Sequence, residues 1–331
     1  MSLDFGSAVE RLGFLRVPGH GRLHREWLHF VIHDDDVDLV LNFSVLESPA
    51  GRTTGNVLLL VRGSDGEWDG DLDRVPPSRL HAVRGRLDLE LGRASLRFDG
   101  SFHIQASCAR RAVTVDLVLE PIATPYLVHN ASNVQWLVAP CWRATGELFA
   151  HGSTRHIAGA PAYHDHNWGD FEGGNVGWRW VCSLAPKGWN VVFVQLLDRT
   201  RTNALSQGLL LWSDAHRERV FRGGEVLCAA EGLLRKTGPI LSVPRALAVL
   251  AMGTASDVPS RLRISAAEGE DRLAGAFASH DVARVLVPRD MDLGVTVIHE
   301  IKGRICLEGI VGGRDVRIDA PAFGEVLGWL T

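Results

Sequence analysis

The sequence predicts an all-β protein of two antiparallel barrel or sandwich domains with few short helices. Three observations predict it. Strand-length runs with period-two alternation recur about every ten residues, broken by Gly, Asp or Arg. Only two segments, 5–14 and 243–252, read as helical. The length of 331 residues matches about two domains at roughly 150 residues each. Closely spaced strands of this kind make sandwiches and barrels, not the strand–helix alternation of a parallel sheet.

Taken in order, Glu26 to Ile32 runs into the polar turn His33-Asp34-Asp35-Asp36 and then the alternating strand Val37 to Leu46, a hairpin pattern. The runs RLDLELG (86–92), ASLRFDG (94–100), SFHIQAS (101–107) and AVTVDLVLE (112–120) follow as further strands. A second Trp-led hairpin begins at Trp180-Val181-Cys182-Ser183-Leu184. It turns at Pro186-Lys187-Gly188 and continues from Trp189 to Asp198. Trp27 and Trp180 stand 153 residues apart, close to half the chain. That weak repeat predicts two similar β-domains, 1–165 and 166–331, joined around 160–176.

Composition narrows the function classes. Hydrophobic residues make up 46% and charged residues 22%, the balance of a globular protein with a core in each half. A net charge of −4 argues against binding nucleic acid through phosphate neutralisation. Ten Trp and twelve Phe against two Tyr suit apolar pockets or ring stacking, and equally β cores. The five cysteines, at 108, 141, 182, 228 and 306, have no C-x-x-C spacing and are expected to be buried, inert thiols in a reducing cytoplasm. The start, MSLDFGSAVERLGF, lacks the basic and apolar pattern of a signal peptide, and no run approaches the ~18–20 apolar residues of a membrane span.

The segment richest in chemistry is Tyr163-His164-Asp165-His166-Asn167-Trp168-Gly169-Asp170, followed by Trp178-Arg179-Trp180. If extended, Tyr163, Asp165 and Asn167 share one face and His164, His166 and Trp168 the other. Such groups are costly to bury unless they hydrogen-bond one another. A carboxylate in a Trp-lined apolar setting has its pKa raised by desolvation and becomes a general acid near neutral pH. A solvated corner tying two domains together is the structural alternative. His164-x-His166 also suits zinc or iron, given a third ligand on the same side. The spacing to Glu172 exceeds the cupin pattern, however, and no Gly- and His-bearing partner motif follows, so no metal and no cofactor is expected. Glu300, Glu308 and Glu325 read as solvated strand positions, and Arg110-Arg111 as a turn or exposed strand end.

Tyr163 to Gly169, with Trp136-Leu137-Val138-Ala139-Pro140, Gly146-Glu147-Leu148, Glu26-Trp27 and the closing His299-Glu300…Gly303…Gly309…Gly312-Gly313-Arg314, resembles the lipocalin-like superfamily of carotenoid 1,2-hydratases. Asn167-Trp168-Gly169 followed by Trp178-x-Trp180 is also similar to the tocopherol cyclases, and lipocalin-type Diels-Alderases belong to the same broad group. The motifs run from residue 26 to the C-terminus. In place of consecutive aromatics, Leu28-His29-Phe30 follows Trp27.

The resemblance implies two tandem lipocalin-like barrels and an enzyme of isoprenoid or polyene metabolism. A proton would be added to an alkene in a β-barrel pocket, and water or an internal oxygen would capture the cation. Asp165 would be the acid or would orient it, with His164 and His166 as partners and Asn167 a strand holder or polariser of a ligand oxygen. Tyr163, Trp168, Trp178, Trp180 and Trp27 would line the substrate. Two alternatives stand beside this: a pericyclase that folds a polyene into its reactive conformation, and a non-catalytic lipid or pigment carrier. The expected partner is an apolar small molecule, with transient contact with a membrane surface as its source and no nucleic acid.

Overall fold

The computed structural model describes residues 23–48, 50–82, 87–129, 134–170, 176–235, 238–242, 257–288 and 295–330. They fall into two compact units, Met1–Phe171 and Glu172–Thr331. The helical segments expected at 5–14 and 243–252 lie outside the described residues. Among those residues, helix is confined to the 3-10 turns Pro77–Arg79 and Gly223–Glu225. No helix there is long and apolar enough to cross a membrane.

The first unit contains β1 (His24–Asp34), β2 (Val37–Glu47), β3 (Thr53–Gly63), β4 (Trp68–Val75), β5 (Leu80–Ala82) and β6 (Asp88–Leu91). It continues with β7 (Ala94–Phe98), β8 (Phe102–Ser107), β9 (Thr114–Pro121), β10 (Tyr126–His129), β11 (Val134–Ala150) and β12 (Ser153–Gly169). The sheet order is β4-β3-β2-β1-β12-β11-β9-β8-β7-β6-β5, with β10 pairing β11. The expected hairpin is present as β1–β2, in register from His24↔Glu47 to Asp34↔Val37. The boundary expected at 165/166 falls inside β12, which runs unbroken to Gly169.

Strand alternation builds the core of this unit. Leu28, Phe30 and Ile32 of β1, Leu41 and Phe43 of β2, and Val57 and Leu59 of β3 point to one side and join Phe102, Leu117, Trp142 and Ala162 in one apolar cluster. Two devices keep β11 and β12 on it. His151 and Gly152 at the β11–β12 turn both have positive φ, 49° and 75°, the twist a tight hairpin needs. A bulge between Ala139 and Trp142, with Cys141 at φ 65°, swings Trp142 inward, where its Nε1–H donates to the Ala139 carbonyl at 2.7 Å.

The second unit repeats the plan. Its strands are β13 (Gly177–Ser183), β14 (Trp189–Leu197), β15 (Ala204–Ser213), β16 (His216–Arg222), β17 (Val226–Glu231), β18 (Ile240–Ser242), β19 (Arg261–Glu268), β20 (Asp271–Pro288), β21 (Val295–Val311) and β22 (Arg314–Leu330). They order as β16-β15-β14-β13-β22-β21-β20-β19-β17, with β18 beside β20. In each unit a four-strand meander leads and the last strand returns beside the first. Val181, Phe193, Phe277, Ile301, Ile305 and Ala322 belong to its core.

Cysteine placement corrects one expectation. Cys108 and Cys182 are buried, Cys141 and Cys228 half-buried, and Cys306 exposed, because Ile305 and Leu307 take the core side of β21. Arg110 and Arg111 occupy the exposed turn after β8, as expected, and Arg110 Nε reaches Asp71 at 2.9 Å.

Candidate functional site

Asp165 lies on β12, on the face turned away from the core of its own unit, yet is only 5% exposed. Its neighbours come from register. Across β1 stands His29, and across β11 stands Val138, while Trp27 and Trp136 flank Asn167. The carboxylate accepts three hydrogen bonds: Trp136 Nε1–H at 3.0 Å and Tyr163 O–H at 2.8 Å to Oδ2, and Asn167 Nδ2–H at 2.7 Å to Oδ1. Burial raises the pKa and the three donors lower it; burial wins, and the group is pushed up to about 7. Of the three donors the Tyr163 hydroxyl can rotate and the Asn167 amide can flip to accept, whereas the Trp136 indole N–H can only donate. Protonated Asp165 can therefore keep its network or hand its proton onward.

Beside it, His29 is buried and, with burial lowering its pKa to about 3, stays neutral. Asn42 Nδ2 stands 3.5 Å from its Nδ1. A neutral imidazole beside the acid adds no positive charge to its surroundings.

His164 and His166 are not partners of Asp165. Period-two alternation turns them to the core side of β12, opposite Phe30 and Leu28. His164 stacks on Phe30 at 4.3 Å and meets the edges of Phe102 and Trp142. Its Nδ1–H donates to the His29 carbonyl at 3.0 Å, and its buried Nε2 has no hydrogen-bond partner. Burial, the neighbouring His166 and His29 hold it well below the ordinary imidazole value. His166 Nε2 donates to Glu26 at 2.8 Å. At the same end, His24 Nδ1 reaches Asp170 at 2.9 Å. Burial alone would lower the His24 pKa, but bonds to Glu26 and Asp170 outweigh it and the net shift is upward. Among the described residues His164, His166 and Glu26 do not converge into a metal-ligand set.

Trp168 also faces inward, cross-strand from Glu26 and 5.3 Å from the His166 ring. It therefore does not share the Asp165 side, whereas Trp27 does. Nor does Asp165 look into the barrel. The interior behind it holds Phe30, Phe102 and Trp142, which corrects the expectation of an acid inside a β-barrel pocket.

In the second unit Trp178 and Trp180 lie on the outer side of β13, because Val181 takes the core side. Trp178 Nε1–H donates to Glu325, which is also cross-strand from Trp180 and Glu300. Glu308 is exposed as expected, but Glu300 is 2% exposed and Glu325 half-buried. Both faces of β21 are buried from His299 to Lys302, so the solvated reading fails for those two glutamates. Sequence reasoning missed Trp136 as a site residue, because it joins Asp165 only through the non-local β11–β12 register that pairs it with Asn167.

No protein-family model matches the chain, and no curated protein matches it. Solved structures do. An AttH candidate from Nitrosomonas europaea superposes with a TM-score of 0.67 at 13% identity, covering 100% of this chain and 98% of that one. CghA with Sch210972 gives 0.62 at 11% identity over 95% and 94%. Kievitone hydratase from Nectria haematococca gives 0.58 at 13% identity over 92% and 88%. The chain has the tandem lipocalin-like fold of these proteins. At such identities the shared property is architecture, and one protein of this lipocalin-like fold is a hydratase.

Proposed function

We propose that the chain is an enzyme that hydrates or cyclises an apolar alkene by protonation from Asp165. The observation that carries this is a buried carboxyl whose proton affinity lies near neutrality while three donors hold it in one orientation. Asp165 O–H gives its proton to the less substituted alkene carbon. The π pair forms the new C–H bond and leaves a tertiary cation on the neighbouring carbon. A lone pair of water or of a substrate hydroxyl closes on that cation, and the resulting oxonium returns a proton to the Asp165 carboxylate. Water gives a tertiary alcohol; an internal hydroxyl gives a cyclic ether. Either way the acid is regenerated.

Tyr163 accepts a hydrogen bond from protonated Asp165 and donates one to the carboxylate, smoothing both halves of the cycle. Asn167 and Trp136 keep the carboxyl oriented. Trp27, on the same face, offers its ring to the cation, an interaction of about 0.5–2 kcal/mol. Asp165→Asn is the test, run on the full chain with a panel of prenylated and polyene alkenes in deuterium oxide. The wild type is expected to place one solvent deuterium on carbon per turnover, and the variant to lose turnover by about a hundredfold or more. Undiminished turnover in the variant overturns the role of Asp165. Turnover without deuterium at carbon assigns a pericyclic reaction instead.

A further inference from the structure

The inner side of the second unit's sheet changes character toward one end. Leu209, Phe193, Val181, Ile301 and Val282 lie in one row and all belong to the apolar core. The next row on the same side reads Gln207, Gln195, Arg179, Val326, His299 and Arg284. Arg179 Nη1–H donates to Gln195 Oε1 at 2.9 Å, Gln195 Nε2–H to Gln207 Oε1 at 2.9 Å, and Gln207 Nε2–H to the Gly223 carbonyl at 2.9 Å. Gln195 is buried, whereas Arg179, Gln207 and Cys228 are half-buried. Arg179 also bonds the Cys228 sulfur; burial pushes that thiol up to about 11 against a smaller downward pull from the guanidinium, so it stays neutral. Among the described residues no carboxylate answers Arg179. Glu225 accepts the Arg222 N–H, Glu231 meets Arg263 at 2.7 Å, and Asp257 meets Arg201 at 2.9 Å and His299 at 3.3 Å. In the first unit Glu26 holds the matching place, one core-side position before Leu28 as Arg179 is one before Val181, and His166 and His24 answer it at 2.8 and 3.6 Å.

From this contrast we infer that the second unit binds a compact monocarboxylate, gripped by the Arg179 guanidinium on the inner side of β13. A guanidinium cannot shed its charge, and a partly buried charge met only by neutral groups is costly to hold. Its donors form a planar fork, of which Gln195 and Cys228 engage only part, and the remainder matches the two oxygens of a carboxylate. The amide relay through Gln195 and Gln207 fixes the fork before a ligand arrives, so little ordering is lost on binding. One guanidinium flanked by neutral amides suits a single negative charge. Val181, Phe193 and Leu209 fill the row beneath, so the ligand's apolar tail is short. None of this depends on the reaction assigned to Asp165.

An NMR titration of the full chain, labelled with carbon-13 at the cysteine Cβ, tests it at the site itself. The Cys228 resonance, assigned with Cys228→Ser, reports on the guanidinium beside it. The probes are butyrate, its uncharged isostere butyramide, and inorganic phosphate. Butyrate is expected to shift the Cys228 signal saturably, at least tenfold more tightly than butyramide and more tightly than phosphate. Arg179→Gln, checked for an unchanged melting curve, is expected to weaken butyrate at least tenfold. No saturable shift at Cys228, butyramide binding as well as butyrate, or an undiminished response in folded Arg179→Gln overturns the site. Phosphate binding at least as tightly as butyrate overturns the carboxylate class. The comparison of butyrate with butyramide needs no variant, so it decides the question even if Arg179→Gln melts early.

Discussion

The β1–β12 ladder of the first unit and the β13–β22 ladder of the second occupy the same place in the same topology and are filled in opposite ways. In the first, the core side of β12 carries two imidazoles, His164 and His166, wrapped by Phe30, Phe102 and Trp142. In the second, the returning strand offers Ala322 and Gly324 there, and Phe277 fills the space that side chains would take. On the outer sides, Trp27 faces Asn167 next to Asp165, whereas Trp180 faces Glu325. One scaffold thus solves the packing problem with a ring against glycine and, in its other copy, with polar rings whose hydrogen bonds must be found. The unit that accepts the harder solution is the one holding a carboxyl near neutrality.

The largest effect expected from this contrast is in the second unit. A Cβ at Gly303 would stand 2.3 Å from the Ala278 carbonyl oxygen and 2.5 Å from the Phe277 ring, and backbone cannot retreat. Gly303→Val is predicted to destabilise by more than about 3 kcal/mol, read from chemical unfolding. A loss below about 1 kcal/mol would mean that the ring-on-glycine description is wrong.

Next comes Asp165→Asn, whose effect is a change of slope with pH. The folded pKa, about 7, exceeds the ordinary carboxyl value of 3.8, so the folded state binds the extra proton between them. The stabilisation from that proton is complete below pH 4 and is lost as pH rises through 7. The Asn variant has no such loss, and its Asn167 amide can turn to present oxygen. Relative to wild type it should gain up to about 4 kcal/mol on going from pH 4 to pH 8. A constant difference across that range would contradict the assignment.

A smaller effect, about 1–2 kcal/mol, is expected at His164. Its pKa is lowered, so its contribution is present above the ordinary value of 6.5 and is lost as pH falls below it. His164→Phe removes both the orphan Nε2 and that acid sensitivity, at the expense of the bond to the His29 carbonyl. Its stability relative to wild type should therefore rise between pH 7 and pH 5 in urea unfolding curves, and a falling trend would refute the reading.

Much of this architecture is legible in the sequence because alternation is a local signal. The β1–β2 hairpin, the strands at 86–120 and the second Trp-led hairpin can each be read from ten residues at a time. The tandem plan follows from the 153-residue offset. The same alternation separates Asp165 from His164 and His166. What the chain does not spell out is non-local: whether the face away from the core is wet. Glu300 and Glu308 sit eight positions apart on one alternating strand, yet one is buried and the other exposed. Trp136 joins the acid only through the β11–β12 register, which the bulge at Ala139–Trp142 also shapes.

The account depends on Asp165 exchanging a proton near neutral pH from a buried, fixed position, and the Trp136 indole N–H bonded to it is a built-in reporter. A pH titration of that indole resonance by proton–nitrogen correlation NMR, assigned with Trp136→Phe, reads the carboxyl directly. The prediction is one inflection near pH 7 that disappears in Asp165→Asn. A resonance that is flat from about pH 5 to pH 9, or that inflects near the ordinary carboxyl value, contradicts it.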